Sequence, residues 1–269
     1  MGLKVAAESF TRRPPLHHQD LPFVLFWSEK SGCTIAVKWF FHQLGLLQEA
    51  LDYHPWIHNY ENEVFRARRS YNEECIAALN DGKPAIKIVR NPYSRAFSGY
   101  LELCRPFLTR QNDHWAYEAR QRVLEYLVGY AGEIELAFSF NQFVSWLEAQ
   151  DIRDVNDHIA PQRLPYEAQL EIEPLKLEDG HAIFAELEER FGLKATTQDH
   201  VAFNSGHHHA KTELTGALPV DISDLAIPVQ RNRSFRLIAP TPVQLSQGKS
   251  GDALRRLFAG DFAAYRYEE

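Results

Sequence analysis

Residues 22–41 read PFVLFWSEKSGCTIAVKWFF, and this stretch decides the fold. The six residues 22–27 form a short, continuous apolar run that stops at Ser28, the pattern of a strand buried in a parallel sheet rather than of an alternating surface strand. From Cys33 onward, TIAVKWFFHQLGLLQEAL carries apolar residues nearly all round and meets few breakers before Asp52, which predicts a buried helix against that sheet. Residues 22–50 thus read as strand, tight turn and helix.

The same grammar returns downstream. PAIKIVR (84–90) predicts a second strand, Asn91-Pro92 a turn, and YSRAFSGYLELC (93–104) a second helix. Two such units predict an α/β fold with a central parallel sheet flanked by helices. Residues 53–83, which hold His54, His58 and the basic cluster Arg66, Arg68 and Arg69, read as a loop and a helix. Further helices are expected at 114–130, 139–149, 180–191 and 250–265, giving a largely helical downstream half, while the polar stretch 204–249 has no clear period. With no repeat and no low-complexity linker, the chain is taken as one domain over 1–269 with a lead at 1–20.

Composition bounds the function. The chain has 269 residues, 45% of them apolar and 24% charged, which suits a folded globular protein with a full core. A net charge of −7 and no long basic block argue against nucleic-acid binding, which needs clustered Lys and Arg, and leave room for a small anion in a local basic pocket. Cys33, Cys75 and Cys104 lack metal-ligand spacing and are an odd number, so a reducing compartment is expected. The N-terminal stretch has no signal-peptide core and no run approaches the ~20 apolar residues of a membrane span, so the expectation is a cytoplasmic protein without an integral membrane segment.

A strand-to-helix turn presents free backbone N–H groups and the positive end of the helix dipole, which together attract anions. The turn here is Ser28-Glu29-Lys30-Ser31-Gly32-Cys33-Thr34. Lys30 offers a mobile charge, Gly32 lets a phosphate approach the backbone, and Ser31 and Thr34 offer hydroxyls. A Walker A loop places its lysine after the glycine; here the lysine comes first.

With its Cys33-Thr34 pair, this loop resembles the 5′-phosphosulfate loop of sulfotransferases in the P-K-x-A-C-T form of the carbohydrate type, with Glu29 in place of proline. Ile88 to Tyr100 resembles the family's 3′-phosphate segment, V-R-[DEN]-P-x-x-R-x-x-S-x-Y, and residues 157–179 its H-W-x-P-Q stretch, with Ile159 in place of the aromatic residue. The chain end LFAGDFAAYRYEE resembles the family's closing D-F-x-x-F-x-Y helix. Four landmarks in order span residues 22–267. The resemblance implies a P-loop-like sulfotransferase fold. It also implies transfer of a sulfuryl group from 3′-phosphoadenosine-5′-phosphosulfate (PAPS) to a hydroxyl of a carbohydrate or glycolipid acceptor, with no metal.

On that resemblance, Lys30, Ser31, Gly32, Cys33 and Thr34 hold the 5′ end of the donor, Arg90 and Ser98 its 3′-phosphate, and Lys30 steadies the leaving phosphate. Arg95 reads as a helix residue that is solvated or ion-paired, and Tyr93, Phe97 and Tyr100 as core residues facing the sheet. The base is expected to be His158, with His54 and His58 as alternatives that read as surface histidines. His207, His208, His209 and Lys211 read as a solvated loop or lid near the nucleotide, with Asn204 and Ser205 on the acceptor side. A nucleotide kinase and a non-catalytic nucleotide-binding module remain as alternatives.

Overall fold

The computed structural model describes residues 10, 13–105, 114–130, 134–196, 224, 226–227 and 240–268. In chain order these form β1 (Val24–Phe26), α1 (Cys33–Leu44), α2 (Leu47–Tyr53), α3 (Ile57–Tyr60), a π-helical turn (Glu61–Phe65), α4 (Tyr71–Asn80), β2 (Ala85–Val89), α5 (Pro92–Leu103) and α6 (Trp115–Val128). There follow β3 (Phe138–Ser139), α7 (Phe140–Glu148), β4 (Ile172–Lys176), α8 (Ala182–Phe191), β5 (Ala226–Ile227), α9 (Pro242–Leu245), α10 (Gly248–Leu257) and α11 (Ala259–Tyr265).

The class is α/β. Its parallel sheet has three strands in the order β1-β2-β4, with Val24 opposite Ala85 and Ala85 opposite Ile172. β3 and β5 make a separate antiparallel pair. The expected strand–turn–helix units are present as β1–α1 and β2–α5, and every residue of β1 and β2 is buried, as a parallel strand covered on both faces requires. Asn91 caps α5 through its side chain, which accepts from the N–H groups of Tyr93 (3.0 Å) and Ser94 (3.4 Å), with Pro92 in the first turn where its missing N–H costs nothing.

Three boundaries differ from the sequence reading. The first helix ends at Leu44, because Gly45 takes a left-handed φ of 74° and caps it, and α2 starts a new axis. The last helix is two, broken at Phe258. The strand β4 falls in the third motif, where no strand was expected.

The lead is not a free arm from Arg13 onward. Leu16 exchanges backbone hydrogen bonds with Leu25 (2.8 and 2.9 Å), so the outer edge of β1 is covered.

The described residues divide into two compact units, one from 1–90 and 163–208, the other from 91–162 and 209–269. The first holds the parallel sheet and a core that includes Phe23, Trp39, Phe40, Phe41 and Ile86. The second is helical around Tyr93, Phe97, Tyr100, Phe143 and Phe262. Among the described residues no helix is long and apolar enough to cross a membrane.

Candidate functional site

In the first unit the turn after β1 has the backbone of an anion cradle. Lys30 (φ 64°) and Gly32 (φ 80°) are both left-handed, with Ser31 between them, and the turn leads directly into the N-terminus of α1, the end of a helix that attracts anions. Glycine accepts this conformation freely; a lysine does so at a cost of order 1 kcal/mol or more, which the surroundings must offset. A Cβ at Gly32 would also lie 2.7 Å from Leu177 Cδ1, so the end of that leucine side chain would have to shift to admit it.

The loop is held from below. Ser28 and Ser31 are fully buried; the Ser28 hydroxyl donates to Ser31 Oγ (3.2 Å) and the Ser31 N–H to the Ser28 carbonyl (3.2 Å). Ser31 therefore shapes the loop from inside. Glu29 is tied by an ion pair to buried Arg13 (3.3 Å), an anchor at the position where the resembled motif has proline. Arg90, just past β2, donates from Nη1 to the Lys30 carbonyl (3.1 Å). Residues 60 positions apart in sequence thus meet at the carboxyl ends of two adjacent parallel strands, the usual place for ligands in α/β sheets.

On the other side of Gly32 stands His58, which is buried, in contrast to its reading as a surface histidine. Its Nε2 lies 3.4 Å from Thr34 Oγ1 and its Nδ1 2.5 Å from Glu61 Oε2. Burial opposes charge on this imidazole, yet the Cys33 side chain and the Glu61 carboxylate outweigh it and push the group up to about 10. Glu61 is itself fully buried; burial works to raise its carboxyl, but Arg66 (2.7 Å) and His58 hold it below the usual range. The Trp27 indole N–H donates to its other oxygen (3.2 Å). The π-helical turn starting at Glu61 brings this carboxylate beside both cations, and such turns recur at functional sites. At neutral pH, His58 is thus a cation next to the loop.

His54 differs. It is exposed, and its Nδ1 accepts the Trp56 N–H (2.9 Å), which uses the lone pair a base would need and leaves the ring proton of the neutral form on Nε2.

In the second unit three sequence landmarks converge on the turn 156–162. His158 stacks on Trp115 (ring centroids 4.3 Å apart, 11° between planes), and its Nδ1 is 2.8 Å from Asn156 Oδ1. That contact suits an Nδ1–H donor and a lone pair on Nε2, the form of an oriented base. Arg95 is 1% exposed and donates to the carbonyls of Ala160 (2.5 Å) and Asp157 (2.7 Å), so it is neither solvated nor a surface ion pair. A Cβ at Gly99 would stand 3.3 Å from the His158 carbonyl, so α5 approaches this turn closely. From the chain end, buried Asp261 accepts the Gln162 N–H (2.8 Å). Ser98 lies nearly buried on α5. Tyr93, Phe97 and Tyr100 are core residues as expected, packed on Phe138, Phe140, Phe143 and Phe262.

Two participants escaped the sequence reading. The pairing of His58 with Glu61 left only an i, i+3 spacing as its signal, and Asp261 only its place at the head of the closing D-F-x-x-F-x-Y motif. Asn204, Ser205, His207, His208, His209 and Lys211 lie outside the described residues. Set against protein-family models, curated proteins and solved structures, the chain matches none.

Proposed function

We propose that this protein is a sulfotransferase of the P-loop-like fold that moves a sulfuryl group from PAPS to a hydroxyl of a carbohydrate or similar acceptor. The observation that carries the reading is the hydrogen bond from Arg90 to the Lys30 carbonyl, which joins the two sequence motifs that resemble donor-phosphate segments.

The residues fit a doubly charged oxygen anion. The Gly32 N–H and the first N–H groups of α1 supply donors, Lys30 a cation, and His58 a fixed cation on the Thr34 side. In the reaction the acceptor oxygen attacks sulfur, the bond from sulfur to the bridging phosphate oxygen breaks, and charge grows on that oxygen, where Lys30 and His58 act. The assignment of the acceptor proton to His158 stands on sequence resemblance; within its own unit the Asn156 contact suits Nδ1–H, the tautomer that a base accepting at Nε2 requires. His54 has no role in this scheme. The 3′-phosphate role of Ser98 stands on sequence resemblance and is tested by Ser98→Ala.

Calorimetric titration of adenosine 3′,5′-bisphosphate against AMP and ATP, with wild type and Arg90→Ala, tests the donor. Preference for the bisphosphate, lost in the variant, supports the reading. Equal or tighter binding of ATP overturns it in favour of a nucleotide kinase, and bisphosphate binding without transfer to any acceptor marks a non-catalytic binding module.

A further inference from the structure

Burial divides the three cysteines. Cys75 and Cys104 are buried, and burial pushes their thiols up to about 12 and about 11, so both stay protonated and shielded at neutral pH. Cys33 is half-buried and begins α1 directly after Gly32.

A histidine stands beside it. The Cys33 side chain shares a hydrogen bond with the His58 imidazole. Nδ1 of that ring is committed to Glu61 (2.5 Å), so Nε2 is the nitrogen left to face the loop, where it also lies 3.4 Å from Thr34 Oγ1. Glu61 is fixed in turn by Arg66 (2.7 Å) and by the Trp27 indole N–H (3.2 Å). A thiol, an imidazole within hydrogen-bond reach and a carboxylate that orients the imidazole form the constellation that activates a nucleophile. A cationic donor and a helix N-terminus beside sulfur both favour the thiolate, the form that attacks.

We infer that Cys33 is a modification site: with His58 as its activating partner and Glu61 behind that ring, it forms a mixed disulfide with small anionic disulfides and so blocks the loop. The Cys33 sulfur attacks one sulfur of the reagent, the S–S bond breaks, and the second sulfur leaves with the electron pair. The proton shed by Cys33 rests on His58, and the departing sulfur takes its own from the buffer. Cys33 is oxidised and the departing half of the reagent is reduced to its thiol, so no further oxidant is needed. The anionic class follows from the neighbours, since Lys30, His58 and the N-terminus of α1 draw carboxylates toward this sulfur. A peptide carboxylate held there and a phosphate need the same donors, so each excludes the other. That exclusion rests on the sulfotransferase reading; the reactivity of Cys33 does not.

The test is treatment of the full chain at pH 7 with oxidised glutathione, and with cystamine as the cationic counterpart, followed by intact-mass measurement and peptide mapping. The expected product is one glutathionyl group per chain, on Cys33, released by dithiothreitol. It should form faster than the cystamine adduct once both rates are divided by those of the urea-unfolded chain. Iodoacetamide, which is neutral, should alkylate Cys33 about threefold or more faster in the folded chain than in urea, and about tenfold more slowly in His58→Gln than in wild type. The comparison with urea uses wild type alone and decides activation even if the variant does not fold. Absence of an adduct, adducts on Cys75 or Cys104, or alkylation of Cys33 no faster in the folded chain overturns the proposal. So does an equal rate in a folded His58→Gln, and a preference for cystamine overturns the anionic class. The block is read separately: the adduct should weaken binding of adenosine 3′,5′-bisphosphate about tenfold or more, and saturating bisphosphate should slow adduct formation. Equal bisphosphate binding before and after modification overturns the block. Failure of unmodified wild type to bind the bisphosphate counts against the sulfotransferase reading, and the labelling of Cys33 still decides its reactivity.

Discussion

Glu61 Oε2 stands 2.5 Å from His58 Nδ1, and neither side chain has appreciable access to water. A buried carboxylate paired with a buried imidazolium makes protonation of that histidine part of the folded state, so two properties usually measured apart, stability and pH, are joined at the wall of the candidate site.

The folded-state His58 is raised to about 10 from 6.5, so it favours folding fully below pH 6.5 and loses that contribution as pH climbs through 10. His17 is lowered to about 4 by burial and by Lys83, so the unfolded chain binds the proton more readily and stability falls as pH drops from 6.5 toward 4. Urea melts across pH 4–10 should give a maximum near neutrality, with each limb worth on the order of a few kcal/mol at most. His58→Gln should flatten the alkaline limb and His17→Gln the acid one; unchanged limbs would refute the assignments.

Gly32→Ala meets two penalties, a left-handed backbone and the 2.7 Å approach to Leu177 Cδ1. We expect a loss of roughly 1–3 kcal/mol in denaturant melts, from the dihedral cost plus overpacking. Adding Leu177→Ala should recover the contact part but not the backbone part. Full recovery would mean that the left-handed turn imposes no strain.

Lys87 and Glu167 form a buried ion pair beneath β2, with both carboxylate oxygens within 2.7 Å of Nζ. Lys87→Met alone leaves a buried carboxylate without its cation and should cost about 3–5 kcal/mol. The double change Lys87→Met with Glu167→Leu should regain most of this. Additive losses in the double-mutant cycle would remove the pair from the account of stability.

Arg95→Ala and Asp261→Asn act on the His158 turn from opposite elements, α5 and α11. On the proposed assignment of His158 as the base, both should lower kcat about tenfold or more while leaving bisphosphate affinity within about twofold, because a displaced base costs rate rather than donor binding. Rates unaffected in folded variants would show that the turn has no part in transfer.

Much of this was legible in the sequence. The buried runs at 22–27 and 84–90 and the breakers after them mark β1 and β2 because both strands are covered on two faces and so carry no alternation. β4 was not legible: its Pro174 argues against a strand, yet β4 ends the strand order β1-β2-β4 and an edge strand tolerates a residue without an N–H. The two compact units also left no mark. Each is discontinuous in sequence, and the first boundary falls between Arg90 and Asn91, inside a motif that reads as one. Arg95 and His58 were misjudged for a common reason: a charged side chain on a helix reads as surface until the carbonyls or carboxylates that satisfy it arrive from elsewhere in the fold.

At position 30 the fold by itself favours glycine or asparagine, since either adopts a φ of 64° with less strain than lysine. A lineage filtered only for foldability would drift there toward those residues, keep the shape of the turn and shed its cation. Lysine at this position keeps a cation in the turn at the cost of that strain.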